Sequence, residues 1–118
     1  MFHERVVSEM PFARQWLQAE KLRSQSCRII KVHGESMEPT LPDGAAILVN
    51  LDSTKGRHDK IFVIRIDDEL VVKRLFREPG GMWFLKSDNP NKKSWPTRTC
   101  PADAEIVGEV RWMGRSFR

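Results

Sequence analysis

Cysteine is scarce: the chain has 2 in 118 residues, Cys27 and Cys100, and no Cys-x-x-Cys pair. Histidine is scarce too, with 3 (His3, His33, His58), so the ligand spacings of a zinc module are missing and neither a metal nor a cofactor is expected. Two distant cysteines without an export signal read as reduced core residues rather than a disulfide. No apolar run approaches the ~20 residues that a membrane span requires. Met1 to Arg5 carries an acid and leads into no apolar stretch, so no signal peptide is expected and the cytoplasm is the expected compartment. Repeats and low-complexity tracts are missing, and no basic run is longer than Lys92-Lys93. The net charge of +4 is uneven: residues 1–31 and 92–118 each carry six basic and three acidic side chains, and the middle carries eight and ten. That pattern fits a solvated, mildly basic surface better than a nucleic-acid groove.

What is present suits one domain with a modest core, at 40% hydrophobic and 31% charged residues. Phe12, Ala13, Trp16, Leu17 and Ala19 follow a 3.6-residue period, with Ser8 as cap and Pro11 in the first turn, which predicts a short amphipathic helix within residues 1–25. From Cys27 onward the pattern is β. Residues 28–33 are β-branched, residues 45–50 form a continuous apolar run expected to be buried on both faces, and His33 is expected to be partly buried. Residues 61–66 and 70–76 flank Asp67-Asp68-Glu69 and predict an antiparallel hairpin, although the preferred Asn-Gly is absent. Residues 82–86 and 104–113 read as further strands, separated by an irregular stretch over 87–101. The expected fold class is mainly β with a short N-terminal helix: residues 1–25 a helix and linker remnant, 26–118 the folded domain.

Two residues suggest chemistry. Ser36 lies in a turn-rich segment bounded by Gly34, Pro39, Pro42 and Asp43-Gly44. Lys73 lies inside the apolar run Leu70 to Phe76, and strand alternation puts it on one face with Val71 and Leu75. A serine hydroxyl needs a base within hydrogen-bond reach. Lysine becomes such a base when desolvation favours its neutral form. Serine at a turn and lysine among apolar neighbours are the two parts of a Ser–Lys centre, with the backbone amides of Glu35 and Ser36 as candidate oxyanion donors. The residues alone leave the bland reading open. Turn serines commonly bond only their own backbone. Strand lysines commonly pack their stem and solvate their head.

The order of motifs adds to this. Gly34-Glu35-Ser36-Met37-Glu38-Pro39-Thr40-Leu41, then Asp43-Gly44, then Asp67 to Leu75, then Ser87-Asp88-Asn89-Pro90-Asn91, then Ile106 to Arg115 resembles the LexA and phage-repressor family of Ser–Lys self-cleaving domains. The resemblance covers roughly residues 26–117. It implies the mostly-β LexA/signal-peptidase fold, with Ser36 as nucleophile and Lys73 as base. It also implies a homodimer formed largely through the C-terminal portion, making Trp112 and Phe117 interface candidates. In that family a helix-turn-helix domain binds operator DNA. Cleavage of the linker, stimulated by RecA filaments, separates that domain from the dimeriser.

Two departures matter. Twenty-five residues before the first strand cannot hold a three-helix DNA-binding domain, so operator DNA is expected to be reached only through a domain absent from this chain. No Ala-Gly or Cys-Gly pair, the usual scissile bond, occurs in residues 1–35. The expectation is the C-terminal, peptidase-like and dimerising domain of a bacterial or prophage repressor that cleaves its own linker. The alternatives are a non-catalytic dimerisation module that binds an antirepressor, and a soluble processing peptidase of UmuD or signal-peptidase type.

Overall fold

A computed structural model describes residues 4–6 and 13–116 of the chain. Among the described residues one eight-stranded sheet dominates: β1 (Glu4–Val6), β2 (Cys27–Lys31), β3 (Ala46–Asn50), β4 (Lys60–Ile66), β5 (Glu69–Arg77), β6 (Trp83–Lys86), β7 (Arg98–Thr99) and β8 (Glu105–Gly114). Their order across the sheet is β1-β2-β3-β8-β4-β5-β6-β7, and every pairing is antiparallel. The mainly-β expectation therefore holds.

The β4–β5 hairpin forms where alternating β-branched runs predict it, with Ile66 paired to Glu69 across a two-residue loop. Both loop residues have positive φ, 50° at Asp67 and 64° at Asp68. That is the signature of a type I′ turn, whose twist matches the flanking strands, and aspartate tolerates it better than most side chains. Alternation then divides the core. Val63 and Val72 point to one side with Ile30, Ile47, Val49, Met37 and Leu41. Phe62, Ile64, Leu75 and Leu85 point to the other, with Val71 and Ile106 against them. A third cluster joins Leu17 and Leu22 to Cys27 and Leu48 on the opposite face of β2–β3.

The helix α1 (Ala13–Ala19) ends at Ala19, so residues 20–25 are not part of it as the reading of residues 1–25 expects. Leu17 is buried and Trp16 half-buried, but Ala19 is exposed, so the apolar stripe is narrower than the sequence pattern. Within the same stretch Glu4–Val6 is not helical: it pairs with Arg28 to Ile30 as β1. Main-chain pairing to a waiting sheet edge overrides a weak local preference. The predicted cap Ser8, Pro11 and Phe12 lie outside the described residues. His33, expected to be partly buried, is exposed, because β2 ends at Lys31 and the chain has already left the sheet. Cys27 is a buried free thiol and Cys100 a half-buried one, in separate apolar clusters. No helix of the described residues is long and apolar enough to cross a membrane.

The strand β8 joins the two halves of the sheet. Its residues 109–114 pair with β3, and its residues 105–109 pair with β4. Gly108 sits where the strands close most tightly: a Cβ there would stand 2.5 Å from the Asn50 carbonyl oxygen and 2.8 Å from Val49. Only glycine accommodates that approach.

Candidate active site

The segment from β2 to β3 is fixed by bonds within itself. At its base Val32 and Gly44 close the loop, the Gly44 N–H donating to the Val32 carbonyl at 2.8 Å. Gly34 adopts φ of 97°, and its N–H donates to Asp43 Oδ1 at 2.8 Å. Inside the loop the Glu38 N–H donates to the Glu35 carbonyl at 3.1 Å, and the Leu41 N–H to the Met37 carbonyl at 2.9 Å. Met37 and Leu41, 1% and 3% exposed, anchor the loop in the apolar cluster that contains Val63 and Val72. Burial of two side chains of this size contributes on the order of 3–6 kcal/mol against leaving them in water. Ser36, next to the Met37 anchor, is thereby held half-buried at the loop surface. The N–H groups of Glu35 and Ser36, the candidate oxyanion donors, belong to this same turn.

Lys73 approaches from the other half of the sheet. Its cross-strand partner on β4 is Phe62. On β6 the register pairs Arg74 with Lys86, so the next residue of each strand brings Lys73 opposite Ser87. The Lys73 ammonium nitrogen Nζ donates to Ser87 Oγ at 2.8 Å, and Ser87 is only 2% exposed. Burial lowers the Lys73 pKa below that of a free lysine, and the positive charges of Arg98 and Lys92 lower it further. A desolvated amine beside two cations is driven toward its neutral, basic form at a lower pH than an exposed lysine.

The short segment Ser87-Asp88-Asn89 connects the two residues. The Asn89 N–H donates to the Ser36 carbonyl at 3.0 Å, and Asn89 Nδ2 to the Glu35 carbonyl at 2.8 Å. The Asp88 N–H points at Met37 Sδ at 3.4 Å. Asp88 accepts a fork of two bonds from Arg74, at 2.9 and 2.7 Å. Burial would raise the Asp88 pKa, but the bonds from Arg74 and Thr40 and the charges of Arg74 and Lys86 outweigh it, so its carboxyl titrates below the usual range. The segment thus grips the serine turn with its end and the lysine strand with its start. The sequence marks Ser36 and Lys73, and the motif Ser87 to Asn91 resembles a family segment, but within an irregular stretch it assigns Ser87 and Asn89 no partners; the β5–β6 register and the contacts of Asn89 supply them.

Trp112 and Met113, 41% and 36% exposed, lie on the half of β8 that pairs with β3. Phe117 lies outside the described residues. Among the described residues no group of three or more His, Cys, Asp or Glu could hold a metal ion.

Comparison with known proteins identifies the family of the domain. A family model described as Peptidase S24-like matches residues 1–111. The chain is 34% identical over 79 residues to the repressor protein CI of Enterobacteria phage phi80, covering 67% of this chain and 33% of that protein. It is 32% identical over 89 residues to the LexA repressor of Burkholderia cenocepacia, covering 75% of this chain and 40% of the relative. It is 28% identical over 108 residues to the HTH-type transcriptional regulator PrtR of Pseudomonas aeruginosa, covering 88% and 42%. The chain therefore spans less than half the length of these relatives. With a matched family model over nearly all its residues and two relatives above 30% identity, the chain belongs to the Peptidase S24-like family.

Proposed function

We propose that this chain is the C-terminal, peptidase-like and dimerising domain of a transcriptional repressor, and that Ser36 and Lys73 cleave the linker to its DNA-binding domain. The observation that carries the proposal is the half-buried Lys73, its pKa lowered, tied to the same three-residue segment that holds the backbone of Ser36. Neutral Lys73 takes the proton from Ser36 Oγ as that oxygen attacks the scissile carbonyl. The N–H groups of Glu35 and Ser36 receive the developing oxyanion. The C–N bond breaks as the proton passes to the leaving amine, and water then hydrolyses the acyl-serine ester. Repressors and an HTH-type regulator among the relatives support the regulatory context. The exposed Trp112 and Met113 support a homodimer through the C-terminal half of β8. A RecA filament or an antirepressor would be the inducing partner, and operator DNA would be contacted through the domain outside this chain.

The test is incubation of the full-length gene product from neutral to alkaline pH, following its mass. Cleavage that accelerates with pH and is lost in Ser36→Ala and Lys73→Ala is expected. An intact chain at every pH, or equal cleavage in Ser36→Ala, would refute the proteolytic reading. The second reading, a dimerising module that binds an antirepressor without cleavage, is favoured by one observation: residues 1–35 contain neither Ala-Gly nor Cys-Gly. A stable dimer in ultracentrifugation with no cleavage would support it.

A further inference from the structure

We propose that Arg98 and Lys92 are specificity-determining residues of the site, and that they take an acidic side chain of the segment that is cut. The inference rests on the Ser–Lys reading above and adds to it the chemistry of the substrate.

The strands bring three cations onto one patch. Leu75 pairs with Leu85, and Leu85 with Arg98, so these three make a row across β5, β6 and β7. Residues directly opposite one another share a face, which puts Arg98 on the face of Leu75 and Leu85. Lys73 and Ser87 form the next row on that face, about 7 Å along the strands and within reach of a long side chain. Lys92 enters from the segment after β6. Its Nζ donates to the Ser87 carbonyl, while the Ser87 hydroxyl accepts from Lys73 Nζ at 2.8 Å. The charges of Arg98 and Lys92 both act on Lys73.

What the patch lacks is an acid. Among the described residues none of Lys73, Lys92 and Arg98 enters an ion pair. Asp88, next to Ser87, is clamped by Arg74, and strand alternation turns Arg74 to the face opposite Lys73. Other arginines are matched: Arg23 with Asp52, Arg57 with Glu109, Arg65 with Glu105. Unmatched cations repel one another and attract an anionic partner. Arg98 and Lys92 are exposed, so the patch is open to one. Past Leu75 there is also a cavity of about 290 Å³, lined by Leu75, Met82, Trp83, Pro101 and Ile106. Such a surface fits an extended segment with an acidic side chain at Arg98 and an apolar one at the cavity. A group held there lies beside Lys73, where the cut segment must lie for its carbonyl to meet Ser36. The occupant is therefore that segment, the linker of the same protein.

The experiment measures self-cleavage of the full-length gene product against pH for the wild type, Arg98→Gln, Arg98→Glu and Arg98→Lys. Each acidic residue of the linker is also replaced in turn by Gln and by Lys. Removing a cation beside Lys73 raises its pKa whatever the role of Arg98, so a shifted midpoint decides nothing by itself. The plateau at high pH, where Lys73 is neutral in every variant, carries the answer. Arg98→Gln should lower it by about threefold or more, the scale of one partly exposed ion pair, and Arg98→Lys should restore most of it. One linker acid changed to Gln should give the same drop, and changing that acid to Lys should rescue Arg98→Glu. A plateau unchanged in Arg98→Glu, or a drop that no linker substitution reproduces or rescues, overturns the proposal and leaves the patch to a separate acidic partner. A second measurement uses full-length Ser36→Ala, which cannot cut itself, and follows cutting of its linker by an added protease. Adding Arg98→Glu should speed that cutting severalfold, because the linker is no longer held, and an unchanged rate also overturns the proposal. If the wild type does not cleave itself, that failure belongs to the Ser–Lys reading, and the protease measurement still decides whether Arg98 holds the linker.

Discussion

Replacing Asp88 by alanine tests whether the 87–89 segment is held by charge. Asp88 and Arg74 form a fork with bonds of 2.9 and 2.7 Å, and their side chains are 11% and 23% exposed. Each charge-assisted bond is worth about 1.5–3 kcal/mol net, but the two share one guanidinium and do not add in full. Arg74 also keeps a bond to the Asp59 carbonyl at 2.9 Å when Asp88 is gone, so it is not left wholly unpaired. The expected loss is therefore about 2–3 kcal/mol, below the range for a fully buried pair. In urea this lowers the unfolding midpoint by roughly 1–2 M for a typical slope. A double-mutant cycle with Arg74→Ala should return a coupling of at least about 1 kcal/mol. The pH dependence gives the sign. The folded Asp88 pKa lies below its unfolded value, so the contribution is complete above the unfolded value, near 3.9, and is lost as pH falls through the folded one. The stability gap between wild type and Asp88→Asn should thus shrink from about pH 6 to below about pH 3. Costs that add to within ~0.5 kcal/mol, or a gap independent of pH, would refute the reasoning.

Gly108→Ala should destabilise the sheet by about 1–3 kcal/mol or more, since the added Cβ meets the Asn50 backbone, which cannot swing aside; thermal unfolding reads this directly. The stability advantage of Lys73→Met over the wild type, both in the Ser36→Ala background, should narrow as pH rises. Charged Lys73 is penalised in the folded state below its lowered pKa, and the penalty fades between that pKa and the unfolded value near 10.4; a gap constant up to about pH 10 contradicts a desolvated lysine. On the proposed homodimer, Trp112→Glu should raise the dissociation concentration by tenfold or more in ultracentrifugation, whereas an unchanged value, or a wild type that stays monomeric, would remove that face of β8 as an interface.

The hairpin, the buried run of β3 and the closing strand were legible because period-2 alternation and β-branched residues are strong local signals. The two-residue turn was less so: Asp67-Asp68 lacks glycine, and only the positive φ values reveal the type I′ geometry. The strand β1 was not legible at all. Three residues carry no periodicity, and their pairing with β2 depends on a sheet edge that only the folded chain supplies. The site divides in the same way. Ser36 and Lys73 stood out by their settings, a constrained turn and an apolar run. Ser87 is visible as the head of a motif, but its burial and its contact with Lys73 are not, because they follow from a register set by Arg74 and Lys86, and register is a long-range property.

The double pairing of β8 carries a consequence for timing. Ser36 belongs to the β1–β2–β3 side of the sheet and Lys73 to the β4–β5–β6–β7 side, and β8 lies between β3 and β4. It follows every other described strand in sequence, so it leaves the ribosome after them. Until it inserts, the two halves lack the backbone ladder that aligns them. A nascent chain therefore carries the proposed nucleophile and base without their final alignment, and any cut they make waits until the sheet is zipped. Destabilising β8 alone would then act as a brake on proteolysis, with neither reacting side chain altered.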